Sequence, residues 1–181
     1  DLMPSTKELR RLRARFDIPA EYQEPQAKTR SFAVSRMNNI VIFVRFSDEA
    51  ALGTELFATY NAMFNDSTPG ATSMYSYFRR ASYGTLSIPT YFYPTPSGST
   101  VLSYQDTLPR AYYMPRTATN LIGYDDDDDD DRRDREFTLI QSAVNWLNAN
   151  YTIPSSIDLD CDGDGKIDNI TFVVSGTYTG W

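Results

Sequence analysis

At 181 residues, with 41% hydrophobic and 14% aromatic side chains, the chain can bury one sizeable core but not two full domains and a linker. Its net charge of −7 is local: seven of the 24 acids form the unbroken run Asp125–Asp131, and outside it 17 acids face 17 bases. The near-neutral remainder lacks the basic, aromatic-interleaved stripe of a nucleic-acid binder, and its longest purely apolar run, Ile40 to Val44, is too short to span a membrane.

In chain order, residues 1–36 read as a leader. Ser5 and Glu8 have capping-box spacing, and Leu9, Leu12 and Phe16 follow at helical intervals among arginines. This basic amphipathic helix is either a surface helix docked by three apolar side chains or a prosegment covering a cleft. The opening DLMPSTKELRR has no apolar h-region, so any signal peptide has been removed or was never included.

The main body is expected over 37–181. IVIFVRF (Ile40 to Phe46) is a buried strand by its β-branched and aromatic content. Leu52, Leu56, Tyr60, Met63 and Phe64 recur at helical spacing. A second helix is predicted from Ser73 to Ser82, with Met74, Tyr77, Phe78 and Ala81 on one side and Gly84 as its C-cap. Leu86 to Tyr93 and Val101 to Gln105 read as strands. Residues 109–134 read as a long irregular connection whose aspartate run is a solvated, mobile loop, because consecutive like charges repel and lack the spacing of a ligand cage. Phe137, Ile140, Val144 and Leu147 predict an amphipathic helix from Arg135 to Asn150, and Ile170 to Val174 another buried strand. The fold class is α/β or α+β: a mixed twisted sheet with two to three packed helices.

Two residue counts bound the chemistry. There is no histidine, which excludes a Ser-His-Asp triad, a Cys-His pair and a His-ligated zinc within these residues. The single cysteine, Cys161, cannot form an internal disulfide and leaves the redox compartment open.

The segment IDLDCDGDGKIDN carries the most specific pattern. Asp160, Asp162 and Asp164 alternate, Gly165 follows, and Asp168 completes DxDxDGxxD. Calcium takes six to eight oxygens, and its loops place carboxylates at positions 1, 3, 5 and 9, a backbone carbonyl at 7 and a glycine at 6 for the sharp turn. The candidate ligands are therefore Asp160, Asp162, Asp164, the Lys166 carbonyl and Asp168. Position 12 is Thr171, so the loop departs from an EF-hand, and Asp158 or another part of the fold must complete the shell. Magnesium suits the loop less well, since it prefers to keep its waters. The calcium expected here is structural. Cys161 occupies a non-ligand position, and the surrounding carboxylates predict an unreactive thiol.

Several segments resemble one family. SMYSYFRRASYGTLSI (Ser73 to Ile88) is similar to the helix-to-strand block of the immune inhibitor A-like metallopeptidases, secreted bacterial zinc proteases of the zincin group. IVIFVRFSD resembles that family's first strand and turn, AYYMPRTATNLIGY with REFTLIQSAV its next block, and IDLDCDGDGKIDNITFVVSG its calcium loop and following strand; together they cover most of 39–176. The resemblance implies a zincin-like N-terminal subdomain, with the HExxH helix, its zinc and its general-base glutamate supplied by a C-terminal catalytic part. No histidine is present to receive a catalytic role, so only the calcium set carries over. The implied protein is the N-terminal fragment of a secreted zinc endopeptidase precursor acting on a protein or peptide substrate. The alternative is a non-enzymatic calcium-binding interaction module derived from that fold.

Overall fold

The computed structural model describes residues 36–96 and 101–176. The expected leader helix lies outside the described residues. The elements are β1 (Asn39–Arg45), α1 (Thr54–Asn65), α2 (Met74–Ala81), β2 (Thr90–Phe92), β3 (Tyr104–Gln105), a 3-10 turn (Arg110–Tyr113), α3 (Asp129–Asn150) and β4 (Ile170–Val174).

β1 organises this mixed α/β fold because it pairs with all three other strands, each time in parallel. Its hydrogen-bonding parity separates the partners. Asn39, Val41 and Arg45 bond to residues 89, 93 and 106, whereas Ile40 and Val44 bond to 169 and 175. One edge of β1 is thus shared end to end by β2 and β3, and the other is taken by β4. Sharing an edge explains why β2 and β3 have only three and two residues, shorter than the strands expected over 86–93 and 101–105. Pro89, which has no N–H to donate, further limits the first of them. The expectation of a mixed sheet is corrected: every strand pairing among the described residues is parallel, which places apolar residues on both faces of the central strand.

Both faces are covered. Ile40, Ile42, Val44 and Phe46 pack with Leu139, Ala143 and Leu147 of α3, while Val41 and Phe43 pack with Phe92, Val101 and the α1 side chains Phe57, Tyr60 and Phe64. The Phe92 ring lies against Phe43, Phe57 and Phe64, with centroids 5.1–6.0 Å apart. The end of α1 is pinned to β2 by the Asn65 amide, which donates to Thr90 O (2.9 Å) and accepts from Thr90 N–H (2.8 Å). β4, expected as a buried strand, is half-buried along its length, because it lies at the edge of the described sheet.

α2 begins where its cap predicts, with Ser73 Oγ accepting from the Ser76 N–H at 3.0 Å. At its other end Tyr83 (φ 53°) and Gly84 (φ 80°) take left-handed backbone, and Gly84 N–H donates to Arg79 O at 2.7 Å. That is the closing turn Gly84 was expected to supply. α2 nevertheless buries no side chain fully, and Tyr77, expected on its packed side, is 59% exposed.

α3 differs from expectation at its start and in its buried face. It begins at Asp129, inside the aspartate run. Asp128 is its N-cap, accepting from the N–H groups of Asp130 (3.0 Å) and Asp131 (3.4 Å). Asp131 pairs with Arg135 through two hydrogen bonds of 2.7 and 2.9 Å. The solvated loop is therefore corrected for Asp129–Asp131 alone, which start the helix, while residues 125–128 stay exposed outside it: carboxylates suit the positive end of the helix dipole, and arginine follows one turn later. The inward stripe is Leu139, Ala143 and Leu147, whereas Phe137 is 61% exposed. Arg135 sets this rotation. Its guanidinium donates to the carbonyls of Tyr112 (2.7 Å) and Ile122 (3.0 Å) and lies 4.0 Å from the centre of the Tyr112 ring, turning residues 135, 139 and 143 toward the body.

Candidate metal centre

The aspartate loop joins the end of α3 to β4, and its neck is closed before its carboxylates are arranged. Ile157 and Leu159 pack against the α3-side core, Asp168 N–H donates to Leu159 O at 2.9 Å, and Asn169 O accepts from Ile40 N–H. The Asn38 side chain holds Asp158 O at 2.6 Å, tying the loop to the start of β1. Between these anchors, left-handed Gly163 (φ 73°) and Gly165 (φ 83°) let the chain turn tightly enough for alternating side chains to converge.

Asp160, Asp162 and Asp164 each bring a carboxylate oxygen to within 4.8 Å of the others; the first is half-buried and the other two exposed. Asp160 is held by N–H groups from the opposite side of the turn, Asp164 N–H at 2.8 Å and Gly165 N–H at 2.8 Å. Asp162 accepts from Asp164 N–H at 3.2 Å, and Asp164 from Lys166 N–H at 2.9 Å. The three carboxylates expected at positions 1, 3 and 5 thus come together.

Of the other two expected ligands, Asp168 has partners of its own, and the contacts seen at Lys166 involve its N–H and ammonium rather than its carbonyl. Asp168 accepts a hydrogen bond from the Cys161 N–H at 2.7 Å and another from the Cys161 thiol, and it is not one of the clustered three. At Lys166 the backbone N–H serves Asp164, and the ammonium lies 3.7 Å from the same carboxylate. The Cys161 thiol is pushed up to about 11, first by burial and then by its bond to Asp168, so it is protonated and unreactive at neutral pH. Asp158, considered for completing the shell, accepts from Asp160 N–H at 3.2 Å.

A test of donor chemistry favours a hard cation. The cluster offers carboxylate oxygens only, with no imidazole in the chain and the one thiol engaged elsewhere. Oxygen donors on a flexible loop suit calcium, whereas zinc sites draw on nitrogen and sulfur. The three clustered carboxylates could hold a hard cation of this kind.

Two polar clusters that the sequence did not reveal are closed rather than available. At the carboxyl end of the strands, Glu49 accepts from Arg110 Nε at 2.7 Å, from Phe46 N–H at 3.1 Å and from the Ser175 hydroxyl, and Arg110 also reaches Ser175 O. Burial alone would raise the Glu49 pKa, but Ser175, Phe46 and Arg110 outweigh it and hold it below the ordinary 4.5. This set anchors the end of β4 to the turn after β1. Beneath α3, buried Asp106 accepts from the hydroxyls of Tyr113 (2.6 Å) and Tyr104 (3.1 Å). Burial, then the Asp106 contact, pushes the Tyr113 hydroxyl well above the usual phenol range, so it remains a donor. Neither cluster offers a free nucleophile.

No family model, curated protein or solved structure matches the chain. Among the described residues, no helix is long and apolar enough to cross a membrane.

Proposed function

We propose that the loop of Asp160, Asp162 and Asp164 is a structural calcium site, and that the chain is the N-terminal part of a secreted zinc-dependent endopeptidase precursor of the immune inhibitor A-like kind. The observation that carries the calcium reading is the convergence of three alternating carboxylates within 4.8 Å on a loop whose neck is already hydrogen bonded. Calcium supplies charge neutralisation there. The chain's own residues supply the rest: Gly163 and Gly165 shape the turn, the N–H groups of Asp164 and Gly165 orient Asp160, and Leu159 with Asp168 hold the neck. Fixing this loop fixes the register at which β4 enters along β1.

The peptidase reading rests on the family resemblance of the strand, helix and loop blocks and on their order. It assigns no catalytic residue to this chain, and the catalytic zinc belongs to residues outside it. Two experiments test the two parts separately. Calcium should raise the unfolding temperature more than equimolar magnesium does, and an equal response to both ions would remove the calcium assignment. The coding sequence beyond Trp181 should encode HExxH, whereas a stop codon there, or a continuation without the histidine pair, favours the non-enzymatic binding module.

A further inference from the structure

A second site lies away from the aspartate loop, where the turn after α1 meets the basic side of α2. A recess of about 330 Å³ there is lined by Ser67, Thr68, Tyr75, Arg79 and Arg80, among others. Arg79 is half-buried and Arg80 exposed, and neither guanidinium has a hydrogen-bond or ion-pair partner among the described residues. The hydroxyls of Ser67 and Tyr75 are likewise without a partner among them. The residues that carry these four donor groups, two of them permanently charged, line one open recess.

Arginine in the last turn of a helix ordinarily complements the dipole, and both arginines stand there. That accounts for their charge, but not for their sharing a recess with two uncommitted hydroxyls. The turn itself is already satisfied. Asp66 accepts from the Thr68 N–H (2.9 Å) and the Thr68 hydroxyl (2.7 Å), and its main-chain oxygen takes the hydroxyls of Ser73 and Ser76. The Thr68 hydrogen bonds hold the Asp66 carboxyl below its usual range, so it stays ionised and its negative charge opposes anion entry. The two arginines of the lining must carry recognition. Gly70 (φ 87°) leaves one wall open, since a Cβ built there meets nothing within 4 Å.

We infer that this recess binds an oxyanion, a phosphate or carboxylate group presented by a ligand, through the forked donors of Arg79 and Arg80 with Ser67 and Tyr75 completing its hydrogen bonds. Guanidinium donors match planar and tetrahedral oxyanions in bidentate fashion, which an ammonium cannot do. The site is independent of the calcium loop and of the peptidase reading.

The test is an NMR titration of the full chain with inorganic phosphate and, separately, with acetate, at constant ionic strength so that screening does not change. Saturable shifts should appear at the Arg79 and Arg80 side-chain resonances and at Ser67, and the ion that saturates them identifies the oxyanion type. Arg79→Gln/Arg80→Gln should weaken binding by about tenfold or more while the amide spectrum stays dispersed. Arg80→Lys, which keeps the charge but loses the fork, should weaken it as well and guards against misfolding of the double variant. A non-saturating drift with both ions, or unchanged binding in Arg80→Lys and the double variant, would overturn the assignment.

Discussion

The chain contains two aspartate-rich segments, and they do opposite things. In Asp125–Asp131 the acids are consecutive, and the structure disperses them: Asp128 caps a helix, Asp131 pairs with Arg135, and Asp126 and Asp127 stay exposed. In Asp160–Asp168 the acids alternate with small and turn-forming residues, and three carboxylates are drawn within 4.8 Å of one another. Spacing, rather than the number of charges, decides between the two outcomes. Consecutive residues on a helix start point in different directions and are drawn to N–H groups and arginines. Alternate residues on a tight turn point the same way, and a cation bound among them would relieve their mutual repulsion.

The comparison breaks most sharply at Asp162. Calcium at a hundred times its dissociation constant should stabilise the wild-type chain by about 2.7 kcal/mol, and Asp162→Ala should abolish most of that gain. Denaturant midpoints with and without calcium measure it.

Arg135→Ala should cost about 2 kcal/mol irrespective of calcium, because the carbonyls of Tyr112 and Ile122 and the Tyr112 ring lose a charged partner. The same variant carries a pH signature. The hydrogen bond from Arg135, with that from the Asp125 N–H, holds the Asp131 carboxyl below its usual 3.8. A depressed carboxylate stabilises the fold above the unfolded-state pKa and loses that contribution as pH falls through the folded value. The stability gap between wild type and Arg135→Ala should therefore narrow in acid below about pH 3.8, as chemical denaturation across pH would record.

The smallest effect belongs to the exposed acids. Replacing Asp126 and Asp127 with serine should change stability by no more than about 0.5 kcal/mol while raising the isoelectric point, as equilibrium unfolding and isoelectric focusing would verify.

What the sequence made legible follows the range of the interaction concerned. β1 was readable because IVIFVRF is apolar on both faces, and Ser73 and Gly84 mark the ends of α2 through contacts a few residues long. The three-carboxylate cluster was readable because its geometry is carried by five consecutive residues. The start of α3 was not, since a run of like charges argues for repulsion until Asp128 and Arg135 are seen to absorb it. Nor was the inward face of α3, where Phe137, Ile140, Val144 and Leu147 make as good a stripe on paper as Leu139, Ala143 and Leu147. The Arg135 contacts with a loop 23 residues upstream decide between them. Asp168 read as a ligand by its position, but the Cys161 backbone and thiol hold it in the structure. The Glu49–Arg110–Ser175 anchor joins residues 61 and 126 positions apart, a separation over which no local pattern reports.

Direct calcium binding, measured by titration calorimetry on the wild type, Asp162→Ala and Asp126→Ser/Asp127→Ser, tests the contrast between the two segments at its root. One ion should bind per chain in the wild type and in the Asp126→Ser/Asp127→Ser variant, and none at the same concentrations in Asp162→Ala. Calcium binding that survives in Asp162→Ala, or disappears when the consecutive acids are neutralised, would contradict it.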